Sequence, residues 1–191
     1  MTLYVVRHGR TEANASGLLL GRADPALDAV GRAQAARIAA ALPASPRVVS
    51  SPLRRCVETA AVIVAEPEID ERLIELDYGD FDLRPLRDVP PEIWARWRTD
   101  PDFRPPGGET LTELGRRVAA ALDELALDAT ETDVVVVTHV SPVKAALAWA
   151  LGVGIEISWR SFVAQASITR IGIGDRGPSL QSFNNEAHLL D

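Results

Sequence analysis

Three times along this chain a short β-branched run stops on residues that carry chemistry. "TLYVV" (2–6) stops on Arg7-His8-Gly9. "RVVS" (47–50) stops on Ser50-Ser51-Pro52, with Arg54 and Arg55 just beyond. "VVVV" (134–137) stops on Thr138-His139, with Ser141-Pro142 beyond. Runs this apolar, without alternation to polar residues, are the mark of strands buried on both faces. Between them lie segments with apolar residues at helical spacing: "DAVGRAQAARIAAALP" (28–43) and "ETLTELGRRVAAALDELAL" (109–127). Strands alternating with helices predict an α/β three-layer sandwich, a mostly parallel central sheet with helices on both faces.

The punctuation refines this expectation. Ser51 is placed to cap the helix after the second run, with Pro52 in its first turn. Gly152 ends the helix that follows the third. "AQASITRIGIG" (164–174) and "PSLQSFNN" (178–185) read as a closing pair of strands across "DRG". Segment 66–106 is irregular, rich in Pro, Asp and Arg, and holds Trp94, Trp97 and Phe103 with a short helix expected over 90–98. It reads as an insertion covering the active site, so residues 1–191 are expected to form one domain.

In an open parallel sheet the carboxyl ends of the strands share one edge, and ligands bind there. Two arginines and two histidines from distant parts of the chain are therefore expected to meet. Helix N-termini at that edge add unpaired N–H groups and a positive dipole end. The result is an anion pocket suited to phosphate, which arginine grips through two parallel hydrogen bonds. A neutral imidazole can attack phosphorus, and a protonated one can neutralise the oxygens of the transition state. Each feature alone has a plainer reading: a structural histidine, a solvated Arg54-Arg55 pair, two helix caps. Their convergence on one sheet edge favours the pocket.

Composition excludes several other classes. The formal net charge of -7 disfavours nucleic acid and anionic membranes as partners. No run approaches the roughly 20 apolar residues of a membrane span, and the N-terminus does not read as a secretory leader, so a soluble cytoplasmic protein is expected. Cys56 is the sole cysteine and forms no internal disulfide. A cysteine-based phosphatase needs an arginine six positions on, where Val62 stands. The chain lacks G-x-G-x-x-G after its first strand and a convincing metal-ligand cluster.

Further segments extend the pattern: "GRADPALDAVGRAQA" (21–35), "SSPLRRCVETA" (50–60), "LIELDYGDFD" (73–82), "PGGETLTELGRRV" (106–118), "VVVTHV" and the tail "NNEAHL". Together with "VVRHGRTEAN", in order and spacing, they resemble the histidine phosphatase superfamily, also called phosphoglycerate mutase-like, over nearly the whole chain. The resemblance implies His8 as a nucleophile that becomes phosphohistidine, with Arg7 beside it. Its register selects Arg55, leaving Arg54 as an exposed helix residue, and it gives His139 a contact with the phosphoryl group. Asn14 matches a phosphate-binding asparagine. Thr11 matches a threonine of contact or turn role, and Gly21 a backbone contact near the substrate. The acids at Glu71, Glu75, Asp77, Asp80 and Asp82 are all candidate proton donors by composition. The resemblance favours Glu75, with Asp77 the alternative.

Val140 and Ser141 stand where many members carry two glycines after the second histidine, and the backbone N–H groups there remain available to phosphate. Lys144 stands where arginine is common. This variation resembles the phosphatase side of the family, and implies hydrolysis of a small-molecule phosphate monoester without metal or organic cofactor. A phosphoglycerate mutase and a non-catalytic phospholigand-binding module are the alternatives. His188 reads as structural. Trp94 and Trp97, three apart, share a helix face, for core packing or for lining the substrate mouth. Oligomeric state is not legible in the sequence.

Overall fold

The three β-branched runs become neighbouring parallel strands in the computed structural model, which describes residues 1–190. In chain order the elements are β1 (Thr2–Arg7), α1 (Glu12–Ala15), α2 (Ala29–Ala41), β2 (Arg47–Ser50), α3 (Arg54–Ala60), β3 (Glu68–Ile69), α4 (Pro91–Thr99), α5 (Leu111–Asp128), β4 (Val134–Thr138), α6 (Val140–Leu151), β5 (Ile168–Gly174) and β6 (Gly177–Asn185). The sheet order is β3-β2-β4-β1-β5-β6. The first four of these strands are mutually parallel, and β5 and β6 close the sheet antiparallel, as the sequence predicts.

Register carries the consequence for function. Arg7 pairs with Thr138, and Ser50 with Val137. The polar stops of β1, β2 and β4 therefore lie level, at one edge. Both sheet faces are covered, which is why β4 is four valines in a row. Val134 and Val136 pack with Leu114, Val118 and Leu122 of α5 and Val143 and Ala146 of α6. Val135 and Val137 point the other way, into a cluster with Ile38 of α2 and Cys56 and Ala60 of α3. A third cluster of Leu19, Phe81, Val89, Trp97 and Phe103 forms apart from these two.

Helix starts follow local chemistry where the chain allows it. Asp28 caps α2 by accepting the Gly31 N–H at 2.7 Å, and Thr110 with Glu113 forms a reciprocal capping box on α5. Gly152 ends α6 in the left-handed conformation, φ 63°. Ser51 departs from expectation. Its N–H still bonds Val137 O at 3.0 Å, so it prolongs the strand ladder. The helix begins later, at Arg54, whose N–H is held by Asp24 Oδ1 at 2.6 Å. Segment 66–106 is also not all cover, because Glu68–Ile69 adds the outermost parallel strand. His188 has the structural place expected of it, with Nε2 2.9 Å from Ala166 O. Among the described residues no helix is long and apolar enough to cross a membrane.

Candidate active site

His8 is fixed by its backbone on two sides. Its N–H donates to Thr138 O at 2.9 Å, and its carbonyl accepts from Ala166 N–H at 3.1 Å. The ring Nδ1 lies 2.7 Å from Gly9 O, an acceptor only, so Nδ1 carries the proton. Nε2 is then a bare lone pair, 3.2 Å from Arg55 Nε. Gly9 is required here, because a Cβ would sit 2.4 Å from Gly31 O. The start of α2 thus packs directly on the loop that carries His8.

Arg55, fully buried, ties the site together. Its Nε–H reaches His8 Nε2 and His139 Nδ1, each at 3.2 Å. Nη1 donates to Ala23 O at 2.7 Å and Nη2 to Gly21 O at 2.8 Å. Those carbonyls are aimed by Asp82, whose carboxylate accepts the Gly21 and Ala23 N–H groups, both at 2.7 Å. His139 accepts from Arg55 on Nδ1, so its Nε2–H donates to Ser51 Oγ at 2.7 Å. The two imidazoles meet edge to face, with centroids 5.1 Å apart. Burial, then the charge of Arg55, push both well below the ordinary histidine range. Both are neutral at pH 7, so the protonated second imidazole that the sequence suggests is absent from this state.

The cavity in front of His8 has a volume of about 260 Å³, and its wall includes Arg7, His8, Asn14, Glu75, Val140 and Ser141. Arg55 and His139 are fully buried next to that wall, with Arg55 Nε against the Nε2 tip of His8. Arg7 donates through Nη1 to Val163 O at 2.7 Å. Burial lowers its pKa to about 10, against the pull of Glu75, and it stays cationic at neutral pH. Thr11 is buried and caps α1: its N–H donates to Asn14 Oδ1 at 3.1 Å and its Oγ1 accepts the Asn14 N–H at 3.2 Å, fixing Asn14 at the wall. Gly21 touches the site through Arg55, since its N–H is taken by Asp82 and its carbonyl by the guanidinium.

The five candidate acids separate by position. Glu75 is buried, and its Oε1 accepts the Leu76 N–H at 2.8 Å and the Ser141 N–H, in the first turn of α6, at 3.2 Å. Asp77 is spent on the turn at Gly79 N–H, 2.9 Å away, and Asp82 on the Gly21 loop. Glu75 is the one carboxylate of the described residues in the cavity wall. Arg117 holds the strand of backbone before it, donating to the carbonyls of Arg72 and Ile74 at 2.6 Å each and of Glu75 at 3.2 Å. Glu109 in turn grips Arg117 at 2.7 Å. Arg54 lies exposed, paired with Glu58 at 2.6 Å, as expected.

Sequence reasoning did not find Ser51 as the partner of His139, Asp82 as the anchor of Arg55, or Arg117. Ser51 carries a Ser-Pro helix-start signal, and the other two look like ordinary charges on a loop and a helix. Trp97 is buried in the aromatic cluster and also borders the cavity, with Trp94 beside it at 5.4 Å between centroids. Among the described residues no group of three His, Cys, Asp or Glu side chains is placed to hold a metal ion. The arrangement offers an unprotonated ring nitrogen beside cationic Arg7, a helix N-terminus, and a carboxyl group across one small cavity. That set suits nucleophilic attack on an anionic ester with acid assistance to the leaving group.

Comparison with known proteins agrees with this geometry. The profile of the histidine phosphatase superfamily (branch 1) matches residues 3–186. A Mycobacterium tuberculosis protein named as bifunctional is 32% identical over 98% of this chain, which spans 54%, about half, of that relative. Phosphoserine phosphatase 1 of Hydrogenobacter thermophilus is 31% identical, over 98% of this chain and 93% of the relative. Among solved structures, the α-ribazole phosphatase of Shigella flexneri superposes with a TM-score of 0.84 at 28% identity, covering 97% of this chain and 96% of the other.

Proposed function

The chain belongs to the histidine phosphatase superfamily, and from that premise we propose that it hydrolyses a small-molecule phosphate monoester through a phosphohistidine at His8. The observation that carries this reading is the tautomer of His8. With Nδ1–H tied to Gly9 O, Nε2 of this cavity-wall residue carries no proton and keeps its lone pair, which accepts from Arg55 Nε–H at 3.2 Å. In the first half-reaction Nε2 attacks phosphorus while the bond from phosphorus to the ester oxygen breaks. Glu75, acting in its protonated form, gives that oxygen its proton, and the alcohol leaves. In the second, Glu75 takes a proton from water, the hydroxide attacks phosphorus, and the bond to Nε2 breaks to release phosphate.

Arg7, Asn14 and the N-terminus of α6 at Val140 bind the phosphoryl oxygens, as fixed donors aimed at charge that is transferred rather than created. Arg55 adds positive charge beside the nucleophilic nitrogen, and neutral His139 orients Arg55 through its Nδ1. Thr11 and Gly21 act one step further back, on Asn14 and Arg55. The scheme uses no metal or organic cofactor. Arg7 and Lys144 are the only cationic residues in the wall among the described residues. That is little charge for a bisphosphorylated intermediate, which sets hydrolysis ahead of mutase transfer.

Rapid quench into alkaline detergent during turnover, followed by a test of the label's acid lability, tests the reading. Acid-labile phosphate should appear on the protein and be absent from His8→Ala. A His8→Ala protein that still labels and turns over overturns it, and efficient isomerisation of 3-phosphoglycerate with little free phosphate favours a mutase instead.

A further inference from the structure

Resting on the phosphatase reading, we propose that the leaving alcohol carries an uncharged apolar body of about one aromatic ring, selected by the wall around Trp94, Trp97 and Trp159. The site has two unlike halves. Arg7, Asn14 and the start of α6 supply what a phosphoryl group needs. Most of the remaining wall is leucine and aromatic: Leu20, Leu86 and Tyr78 stand with the three tryptophans. The aromatics meet edge to face or tilted in one contiguous cluster rather than scattered. Trp94 lies 5.4 Å from Trp97 and 6.3 Å from Trp159, and Tyr78 lies 5.7 Å from Trp97, centroid to centroid. Trp97 is locked from behind by Phe81 and Phe103, so the surface is preformed.

Size and charge narrow the ligand. A dry apolar cavity of roughly 150 Å³ is enough for benzene. The 260 Å³ here therefore takes one ring with the phosphoryl group beside it. A leaving group with its own carboxylate would need a second counter-charge. The candidate is Lys144, whose Nζ lies 6.0 Å from the Trp159 ring. Burial weakens its hold on a proton. Desolvating a carboxylate against this wall is costly without a full ion pair. Trp97 Nε1, Trp159 Nε1 and Ser158 Oγ, on residues of the same wall, have no hydrogen-bond partner within the protein. They are neutral groups, and none of the three supplies a counter-charge for a carboxylate.

The test compares kcat/KM for benzyl phosphate, ethyl phosphate, O-phosphoserine and 3-phosphoglycerate. Benzyl and ethyl alcohols are leaving groups of similar acidity, so their ratio reports the wall and not the chemistry. Burying a ring of this size should favour the benzyl ester over the ethyl by roughly 30-fold or more, and over both carboxylate-bearing esters. In Trp94→Ala the benzyl-to-ethyl ratio should fall toward one. Equal rates for benzyl and ethyl esters, or a preference for phosphoserine or phosphoglycerate, overturn the proposal while acid-labile phosphate on His8 leaves the phosphatase reading standing. Absence of both turnover and label with all four esters overturns the two together.

Discussion

Acidifying the protein from about pH 7 to about pH 5.5 should lower its stability by about 2.5 kcal/mol through His8 and His139 alone. Both imidazoles are neutral in the native state because burial first, and Arg55 second, oppose their charged forms. Released by unfolding, each returns to an ordinary value near 6.5 and takes up a proton as the pH falls. Below about pH 6.5 the unfolded state therefore binds more protons than the native one, and stability drops with falling pH. Integrating one such group over this interval gives roughly 1.2 kcal/mol, and the two together about twice that. His188, lowered too but only partly buried, adds a smaller amount of the same sign. The lowered carboxylates Asp28, Glu68 and Asp70 contribute stability that is lost only below their unfolded values near pH 4, outside this interval. The measurement is urea unfolding followed by the fluorescence of the four tryptophans. Phosphate is omitted from the buffer, because an anion bound to the native state adds its own stabilisation. His8→Gln should remove about half of the effect. A midpoint that does not move between the two pH values, or an undiminished shift in both His8→Gln and His139→Gln, refutes the assignment of two buried neutral imidazoles.

Two further perturbations address the supports of the site. Arg117→Leu frees the backbone of residues 72–75. Since a displacement of about 1 Å at a catalytic group costs on the order of 100-fold, kcat should fall by that much with KM little changed, and a KM effect alone would contradict the positioning role. Gly31→Ala places a Cβ 2.0 Å from Arg10 O, backbone that cannot rotate away. The cost should reach about 3 kcal/mol in urea unfolding, and a neutral substitution there would mean that α2 and the His8 loop are not in contact.

The fold is largely legible because its strongest signal is local. Four consecutive valines before Thr138 state that a strand is buried on both faces, and helical periodicity on either side supplies the covering layers. What the chain hides is pairing at a distance. Nothing near Glu68–Ile69 marks two exposed residues as a parallel strand, since that assignment depends on β2 lying alongside. Ser51 shows the same limit in sharper form. A Ser-Pro before a helix has a good local reading as a cap. The hydroxyl keeps a long local bond from the Leu53 N–H at 3.4 Å, and its short bond is to His139, 88 residues away, because the strand ladder continues past Ser50 and carries Ser51 to the sheet edge.

The acids between Glu71 and Asp82 bring the same point to the chemistry. By type and spacing they are interchangeable, and only the resemblance to a known family separates Glu75 from Asp77. The structure separates them by what each oxygen accepts. Asp82 spends both oxygens on the N–H groups of Gly21 and Ala23, aiming two carbonyls at Arg55, which in turn reaches both histidines. It is remote from the cavity wall and still part of the geometry of the nucleophile. Asp77 closes a turn. Glu75 anchors through Oε1, on two backbone N–H groups, leaves Oε2 without a partner among the described residues and, unlike Asp77, borders the cavity. A carboxyl group that is both held in place and left with one open oxygen at a cavity is able to pass a proton. An acid fully committed to structure is not, and that difference is invisible until the distant N–H groups are brought to it.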